Sequence, residues 1–313
     1  MIAAFVTHEE KVIPQEILER IRNGGITLKC HDCGKDPQEL IRFAGDADVI
    51  WFWGDEVRIT PEMLDKLPKC RALFRSGSGV DSLPCERAKE LGILICNTPE
   101  SIAEAVAEHT VTLLLALARL IPQEDRNSRT GRWRELQGAL QWHITGRTLG
   151  LVGYGRIAHL VEKMLSGFSL EVIHYDPFTP DSTPLEELLR RADFVTLHCP
   201  LTPETKHLIN AEHLAMMKPD ALLVNTSRGG VIDEEALYQA LKEHKIGGAA
   251  LDVLDREPFD TSSLLFNLDN VIFTPHLAAF SADFEKNFWD YSAAKLLELQ
   301  KQLDGCASRI ETR

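Results

Sequence analysis

Short apolar runs alternate with helix-period segments along nearly the whole chain, and this alternation is what most limits its fold. Strands that recur with helices between them build βαβ units and parallel sheets. In the first third, candidate strands lie at 2–6, 26–30, 48–53, 72–75 and 93–96, with helical patterns such as 14–21 and 84–91 between them. Asn97-Thr98-Pro99 then breaks the pattern, and a long helical stretch follows at 101–120, with Ser101-x-x-Glu104 as a candidate capping box at its start. A second series follows at 149–153, 171–176, 194–198, 221–225, 248–252 and 271–273, with helical patterns at 156–165, 185–191 and 234–243. Six strands separated by helices suit a doubly wound sheet. One helix, 283–303, closes the chain and can complete the first series. The chain would then cross between two domains twice, near Pro99 and near Ser281. Clefts between α/β domains are frequent ligand sites.

Composition narrows the function. The chain has 313 residues, 44% hydrophobic and 26% charged, as in an ordinary folded protein of about two domains. Its formal net charge of −13 argues against nucleic acid or an anionic membrane as the main partner. The most apolar segment, inside 102–121, is interrupted by Glu104, Glu108, His109 and Arg119 and reads as a buried helix rather than a membrane span. The N-terminus lacks the basic-then-apolar pattern of a secretory signal. Seven scattered cysteines fit a reducing, cytoplasmic setting. Cys30-His31-Asp32-Cys33 has C-x-x-C spacing, but no second pair follows to complete a zinc site, and it runs into Gly34-Lys35-Asp36 rather than a helix start. No metal is expected.

Gly153-Tyr154-Gly155-Arg156-Ile157-Ala158 reads G-x-G-x-x-A, directly after one strand and at the start of a helix. The first glycine permits the tight turn, the second lets backbone approach a pyrophosphate, and the small third residue lets helix and strand pack closely. The helix N-terminus favours the phosphate charge. Asp176 ends the next strand, about twenty residues on, where an acid would grip the adenine ribose hydroxyls and repel a 2′-phosphate. NAD is therefore expected rather than NADP. Arg228 follows the strand ALLV within Asn225-Thr226-Ser227-Arg228-Gly229-Gly230, and its planar fork suits a carboxylate. Asp252 ends another strand, where it can accept a hydrogen bond from a nicotinamide carboxamide, and Glu257 comes soon after. Most histidines in any chain are surface or satisfied core groups. His276 is singled out because it, Arg228 and Glu257 all fall just past successive strand ends. A carboxylate beside a histidine favours the imidazolium and makes it a proton donor near neutral pH.

These residues resemble the D-isomer-specific 2-hydroxyacid dehydrogenase family. The resemblance rests on LGLVGYGRIA, ADFVTLHCPLTPET, MKPDALLVNTSRGGVIDEEAL and GAALDV…EP followed by TPHLA, with FRSGSGVDSL and NTPESIAEAVAEHT extending it over nearly the whole chain. It implies an α/β fold of two doubly wound parallel-sheet domains. A flavodoxin-like substrate domain would be formed by 1–98 and completed by 282–313, and a Rossmann domain binding NAD(H) by 99–281. It further implies that Arg228 binds and polarises the substrate, that His276 protonates the carbonyl oxygen as hydride arrives, and that Glu257 orients and charges His276. Implied cofactor contacts are Gly153, Tyr154, Gly155, Arg156, Ile157, Asp176, Cys199, Pro200, Thr205, Thr226, Ser227, Arg228, Asp252, His276 and Ala278. Arg75, Ser78 and Gly79 join Arg228 and His276 as implied substrate contacts, with the backbone N–H groups at Ser78 and Gly79 holding a carboxylate. A homodimer through the cofactor domain, with the helix near 101–120 as its contact, is also implied.

The resemblance implies a small 2-oxo or D-2-hydroxy acid as substrate, with glyoxylate or hydroxypyruvate as the expectation. Phosphoglycerate dehydrogenases share an arginine at the position of Arg75 but usually carry Arg-Ser where this chain has Gly54-Asp55, and an acid there opposes a phosphate. Formate dehydrogenases carry glutamine where Glu257 stands. Trp51, Phe52 and Trp53 either wall a site for a bulkier acid or pack beneath a long helix. The alternatives are a phosphoglycerate dehydrogenase-like enzyme and an NAD(H)-sensing binding protein resembling the C-terminal-binding corepressors.

Overall fold

A computed structural model describes residues 1–54, 59–80, 82–133 and 142–310, the last five by backbone alone. Asp55, singled out above, lies outside them. The chain divides into two compact units, one of residues 1–102 with 282–313, the other of 103–281.

The first unit holds β1 (Ile2–Phe5), α1 (Gln15–Asn23), β2 (Thr27–Cys30), α2 (Pro37–Ala44), β3 (Val49–Trp53), α3 (Pro61–Leu64), β4 (Ala72–Ser76), α4 (Cys85–Glu90) and β5 (Leu94–Asn97). The sheet is parallel, in the order β2-β1-β3-β4-β5. α2 starts where its residues say it should: Asp36 caps it, accepting from Gln38 N at 2.9 Å, and Pro37 fills the first turn. Trp51 and Phe52 point to opposite faces of the sheet, as neighbours in a strand must, and both are fully buried. Trp51 stacks on Phe5 at 4.2 Å and donates from Nε1 to Ser76 Oγ at 2.7 Å. Ser76 Oγ in turn meets Ser292 Oγ at 2.7 Å. Trp53 packs at 4.6 Å on Phe288 of the C-terminal helix, which spans Phe284–Ile310. Trp51 and Trp53 thus pack beneath a long helix, Phe52 is core on the opposite face, and Trp51 and Phe52 form no substrate wall.

The second unit opens with α5 (Ala103–Ala118) and α6 (Ile121–Arg129), then β6 (Thr148–Val152), α7 (Arg156–Leu165), β7 (Glu171–Tyr175), α8 (Leu185–Arg191), β8 (Phe194–Leu197), α9 (Ala211–Met216), β9 (Leu222–Asn225), α10 (Glu234–Lys242), β10 (Gly248–Leu251) and β11 (Val271–Phe273). The C-terminal helix of the first unit is α11. The expected capping box at α5 does not form. Ser101 Oγ instead donates to the Thr98 carbonyl at 2.7 Å, closing the turn ahead of the helix. The helix also stops short of the expected end: Leu120 turns left-handed (φ 53°) and Pro122 opens α6. No single helix among the described residues is long and apolar enough to cross a membrane.

The second sheet is parallel throughout, in the order β11-β10-β9-β8-β6-β7. β8, β9 and β10 are buried along their whole length, which is why they read as apolar runs. α5 and α7 cover one face and α8, α9 and α10 the other. β6 passes to β7 on one side, and the chain then returns to β8 on the other. The β6/β8 boundary is therefore the switch point, where a crevice opens beyond the strand ends.

Candidate active site

At the switch point the glycine turn follows β6. Gly153 is left-handed (φ 86°), and a Cβ there would lie 2.6 Å from Cys199 N, so β8 and its Cys199-Pro200 extension press directly on the turn. Ala158 is fully buried where α7 meets the sheet. Gly155 differs: among the described residues, a Cβ there would meet no atom within 4 Å. None of the described residues requires that glycine, and the open space suits a pyrophosphate drawn close to the backbone. Arg156 and Ile157 open α7 beside it. Asp176, just past β7, accepts from Tyr154 N at 2.8 Å through Oδ2, which holds its carboxylate at the turn. The Tyr154 ring stacks on His174 at 3.8 Å. Thr205 clasps the loop after β8, its hydroxyl donating to the Pro200 carbonyl at 2.6 Å.

A second set of groups gathers past β9, β10 and β11. Asn225, fully buried, accepts from Ser227 N at 3.0 Å and Ser227 Oγ at 2.8 Å, and donates to the Arg228 carbonyl at 2.9 Å. This turn presents Arg228, whose Nη1 donates to the Ser227 carbonyl at 2.7 Å. A Cβ on Gly229 would fall 1.9 Å from the Leu254 carbonyl carbon, so the arginine-bearing segment lies against the segment leading to Glu257. Glu257 Oε2 lies 2.6 Å from His276 Nδ1. The Glu257 hydrogen bond raises the His276 pKa above the usual histidine value; burial and the Arg228 charge oppose it. His276 sits in the left-handed region (φ 49°), rare for a residue with a side chain and frequent at functional sites.

Asp252 holds that strained turn. Its side chain is fully buried; Oδ1 accepts from Thr274 Oγ1 at 2.5 Å and Leu277 N at 3.0 Å, and Oδ2 from Ala278 N at 3.1 Å. Burial pushes its pKa up, but the nearby His109 ring and these bonds outweigh it and keep the carboxyl below the ordinary range. His276 N donates to the Asp252 carbonyl at 2.8 Å. The turn 274–278 therefore folds around one carboxylate, and the Ala278 N–H is engaged inside it. Sequence reasoning assigned no role to His109 or Thr110, neighbours on α5. His109 Nε2 lies 3.0 Å from Thr274 Oγ1, and Thr110 Oγ1 lies 2.7 Å from Thr226 Oγ1. The available signal was a histidine and a threonine side by side just ahead of the apolar run that ends the helix.

In the first unit, Arg75 is buried on β4 and donates from Nη1 to the Gly79 carbonyl. The Gly77 carbonyl accepts from Thr98 N at 2.9 Å and the Ser78 carbonyl from Asn97 Nδ2 at 2.6 Å. Because a trans peptide sets its N–H opposite its C=O, these bonds turn the N–H groups of Ser78 and Gly79 away from the body of the unit. Cys30 and Cys33 are free thiols, and burial raises their pKa to about 12 and about 11. No metal-ligating cluster occurs among the described residues.

Comparison with known proteins gives this geometry its context. The family model described as D-isomer specific 2-hydroxyacid dehydrogenase, NAD binding domain, matches residues 111–278. A glyoxylate reductase of Korarchaeum cryptofilum is 38% identical over 78% of this chain and 77% of its own length. The chain belongs to the D-isomer specific 2-hydroxyacid dehydrogenase family. A D-3-phosphoglycerate dehydrogenase of Methanocaldococcus jannaschii is 42% identical over 91% of this chain, which spans about half (55%) of that relative. The solved D-lactate dehydrogenase of Aquifex aeolicus, complexed with NAD and lactic acid, matches 99% of this chain and 98% of its own with a TM-score of 0.81 at 26% identity. The family model describes an NAD-binding domain, and the relatives matched include reductases that act on the CH–OH/C=O group of 2-hydroxy and 2-oxo acids, which makes the chain an NAD-dependent oxidoreductase of that group. The open space at Gly155, the α7 N-terminus and Asp176 fit NAD(H).

Proposed function

We propose that the chain catalyses NADH-dependent reduction of a small 2-oxo acid, and the reverse oxidation of the D-2-hydroxy acid. Glyoxylate or hydroxypyruvate is the best-supported substrate. The observation that carries this reading is the 2.6 Å Glu257–His276 pair, held with Arg228 past adjoining strand ends of the NAD-binding unit. NADH, when bound, supplies the hydride. Arg228 draws charge from the carbonyl and pairs with the carboxylate. His276, kept protonated by Glu257, gives its Nε2 proton to the carbonyl oxygen. The N–H groups of Ser78 and Gly79 take the substrate carboxylate. Residues 1–98 with 282–313 serve as the substrate domain and 99–281 as the cofactor domain. A cytoplasmic homodimer completes the reading. Its contact runs through the cofactor domain, with the helix near 101–120 as the contact element.

Phosphoglycerate chemistry is the second reading, favoured by the 42% identical relative. Against it, Arg75 braces its own loop, and Asp55 brings negative charge to the segment. The test is NADH consumption with glyoxylate, hydroxypyruvate, pyruvate, phenylpyruvate and 3-phosphohydroxypyruvate, NADPH being run in parallel. Glyoxylate or hydroxypyruvate should give the highest kcat/KM. His276→Ala should lower kcat by about 10²–10⁴-fold with NADH affinity nearly intact. No turnover with any member of the panel refutes the reading.

A further inference from the structure

Two consecutive residues of α5 reach two different strand ends. His109 Nε2 meets Thr274 Oγ1 at 3.0 Å and lies 3.6 Å from Asp252 Oδ1. Thr110 Oγ1 meets Thr226 Oγ1 at 2.7 Å, both side chains being buried. The two threonines occupy equivalent places: Thr226 precedes Arg228 by two residues, and Thr274 precedes His276 by two. One helix thus touches the roots of both segments that carry the reacting side chains.

Counting protons sets the direction of each bond. Thr110 donates its single hydroxyl proton to the Val106 carbonyl at 2.8 Å, so Thr226 is the donor to Thr110. Thr274 donates to the Asp252 carboxylate at 2.5 Å, so His109 must donate its Nε2–H to Thr274. The second chain continues through Asp252 to Leu277 N and Ala278 N, which brace the left-handed His276 turn on its far side. His109 therefore completes a run of donors ending on a buried carboxylate. The α5 backbone is in turn fixed by its packing on β9 and β10.

We propose that His109 and Thr110 form a positioning pair that sets the spacing between Arg228 and His276 without touching substrate or cofactor. This rests on the catalytic reading of Arg228 and His276 given above. The pair acts by hydrogen-bond geometry alone. A donor at the His109 Nε2 position and an acceptor hydroxyl at position 110 are what it requires. Glutamine and serine supply these groups, whereas leucine and valine match the volume and lack them.

The experiment compares His109→Leu with His109→Gln and Thr110→Val with Thr110→Ser. Three quantities are measured: kcat and KM for the best 2-oxo acid, NADH affinity by fluorescence quenching, and hydrogen exchange at the Leu277 and Ala278 amides. His109→Leu should lower kcat about tenfold, the scale of one lost hydrogen bond, with KM and NADH affinity changed less than about threefold. Exchange at Leu277 and Ala278 should quicken to a similar degree. His109→Gln should restore both. Thr110→Val should lower kcat with no change in exchange at those amides, and Thr110→Ser should recover it. Equal impairment in His109→Leu and His109→Gln, or a fall in kcat with exchange at Leu277 and Ala278 unmoved, overturns the proposal. If the wild-type protein reduces no 2-oxo acid, the catalytic reading fails. The exchange comparison alone then decides whether His109 holds the turn.

Discussion

The two halves of the second sheet solve different problems with different materials. Past β6 and β7 the proposed cofactor groups are backbone and open space: a left-handed Gly153, a Gly155 with no described residue over it, a helix start and one carboxylate. Past β9, β10 and β11 they are side chains, each braced by others: Arg228 on its Asn225 turn, His276 on Glu257, and the whole 274–278 turn on buried Asp252. A diphosphate is large and carries fixed charge, so aligned N–H groups and room to approach suffice. Proton transfer needs one atom placed to within tenths of an ångström with its charge tuned, and that takes a supported network.

The sharpest way to break this contrast is at Arg228. Arg228→Gln keeps a polar side chain but loses the charge, the fork and part of the reach, and should lower kcat/KM by roughly 10³-fold while leaving NADH affinity within a few-fold. Steady-state kinetics beside a binding titration would show it; equal losses in both would mean the two halves are not separable. The glycines give the next contrast. Gly155→Ala should weaken NADH binding at least about tenfold without lowering the melting temperature, since no protein atom meets the added methyl. Gly229→Ala should destabilise the fold by about 1–3 kcal/mol, since its methyl would collide with Leu254. Calorimetry beside fluorescence titration separates the two, and a stability loss in Gly155→Ala would undo the distinction. Asp176→Ala should narrow the preference for NADH over NADPH by about tenfold, read from paired kcat/KM values.

The smallest effect expected is a displacement along the pH axis. On the proposed role of His276 as proton donor, its protonated form is the active one in reduction, so the rate should fall as pH rises through its pKa. Glu257 holds that pKa above the ordinary value. Glu257→Gln removes the carboxylate, so the alkaline limb of kcat/KM should move to lower pH, each unit of movement costing about tenfold on that limb. A limb that stays in place would show that Glu257 orients His276 without charging it.

How much of this was readable in advance follows the same division. Central strands buried on both faces announce themselves as apolar runs, so β8, β9 and β10 were plain. The glycine turn was plain because its spacing encodes backbone geometry. The support behind His276 was not. Asp252 looked like a group for the cofactor, yet both its oxygens accept hydrogen bonds from the turn. His109 looked like an interruption in an apolar helix, because which way a helical residue faces across a sheet depends on tertiary packing. Trp51 was ambiguous for the same reason, since strand alternation places it on one face without saying what covers that face.

The Ser76–Ser292 contact ties β4 to a helix more than two hundred residues later, and Arg71 reaches the Leu303 carbonyl at 2.6 Å in the same way. Phe288, Trp289 and Leu296 fill one face of the first unit's sheet. During synthesis, then, the amino-terminal strands leave the ribosome without the helix that covers them, while 103–281 emerges as one uninterrupted stretch. At ordinary elongation rates the early strands wait on the order of ten to forty seconds for their lid. Of the two units, the one begun first is the one finished last.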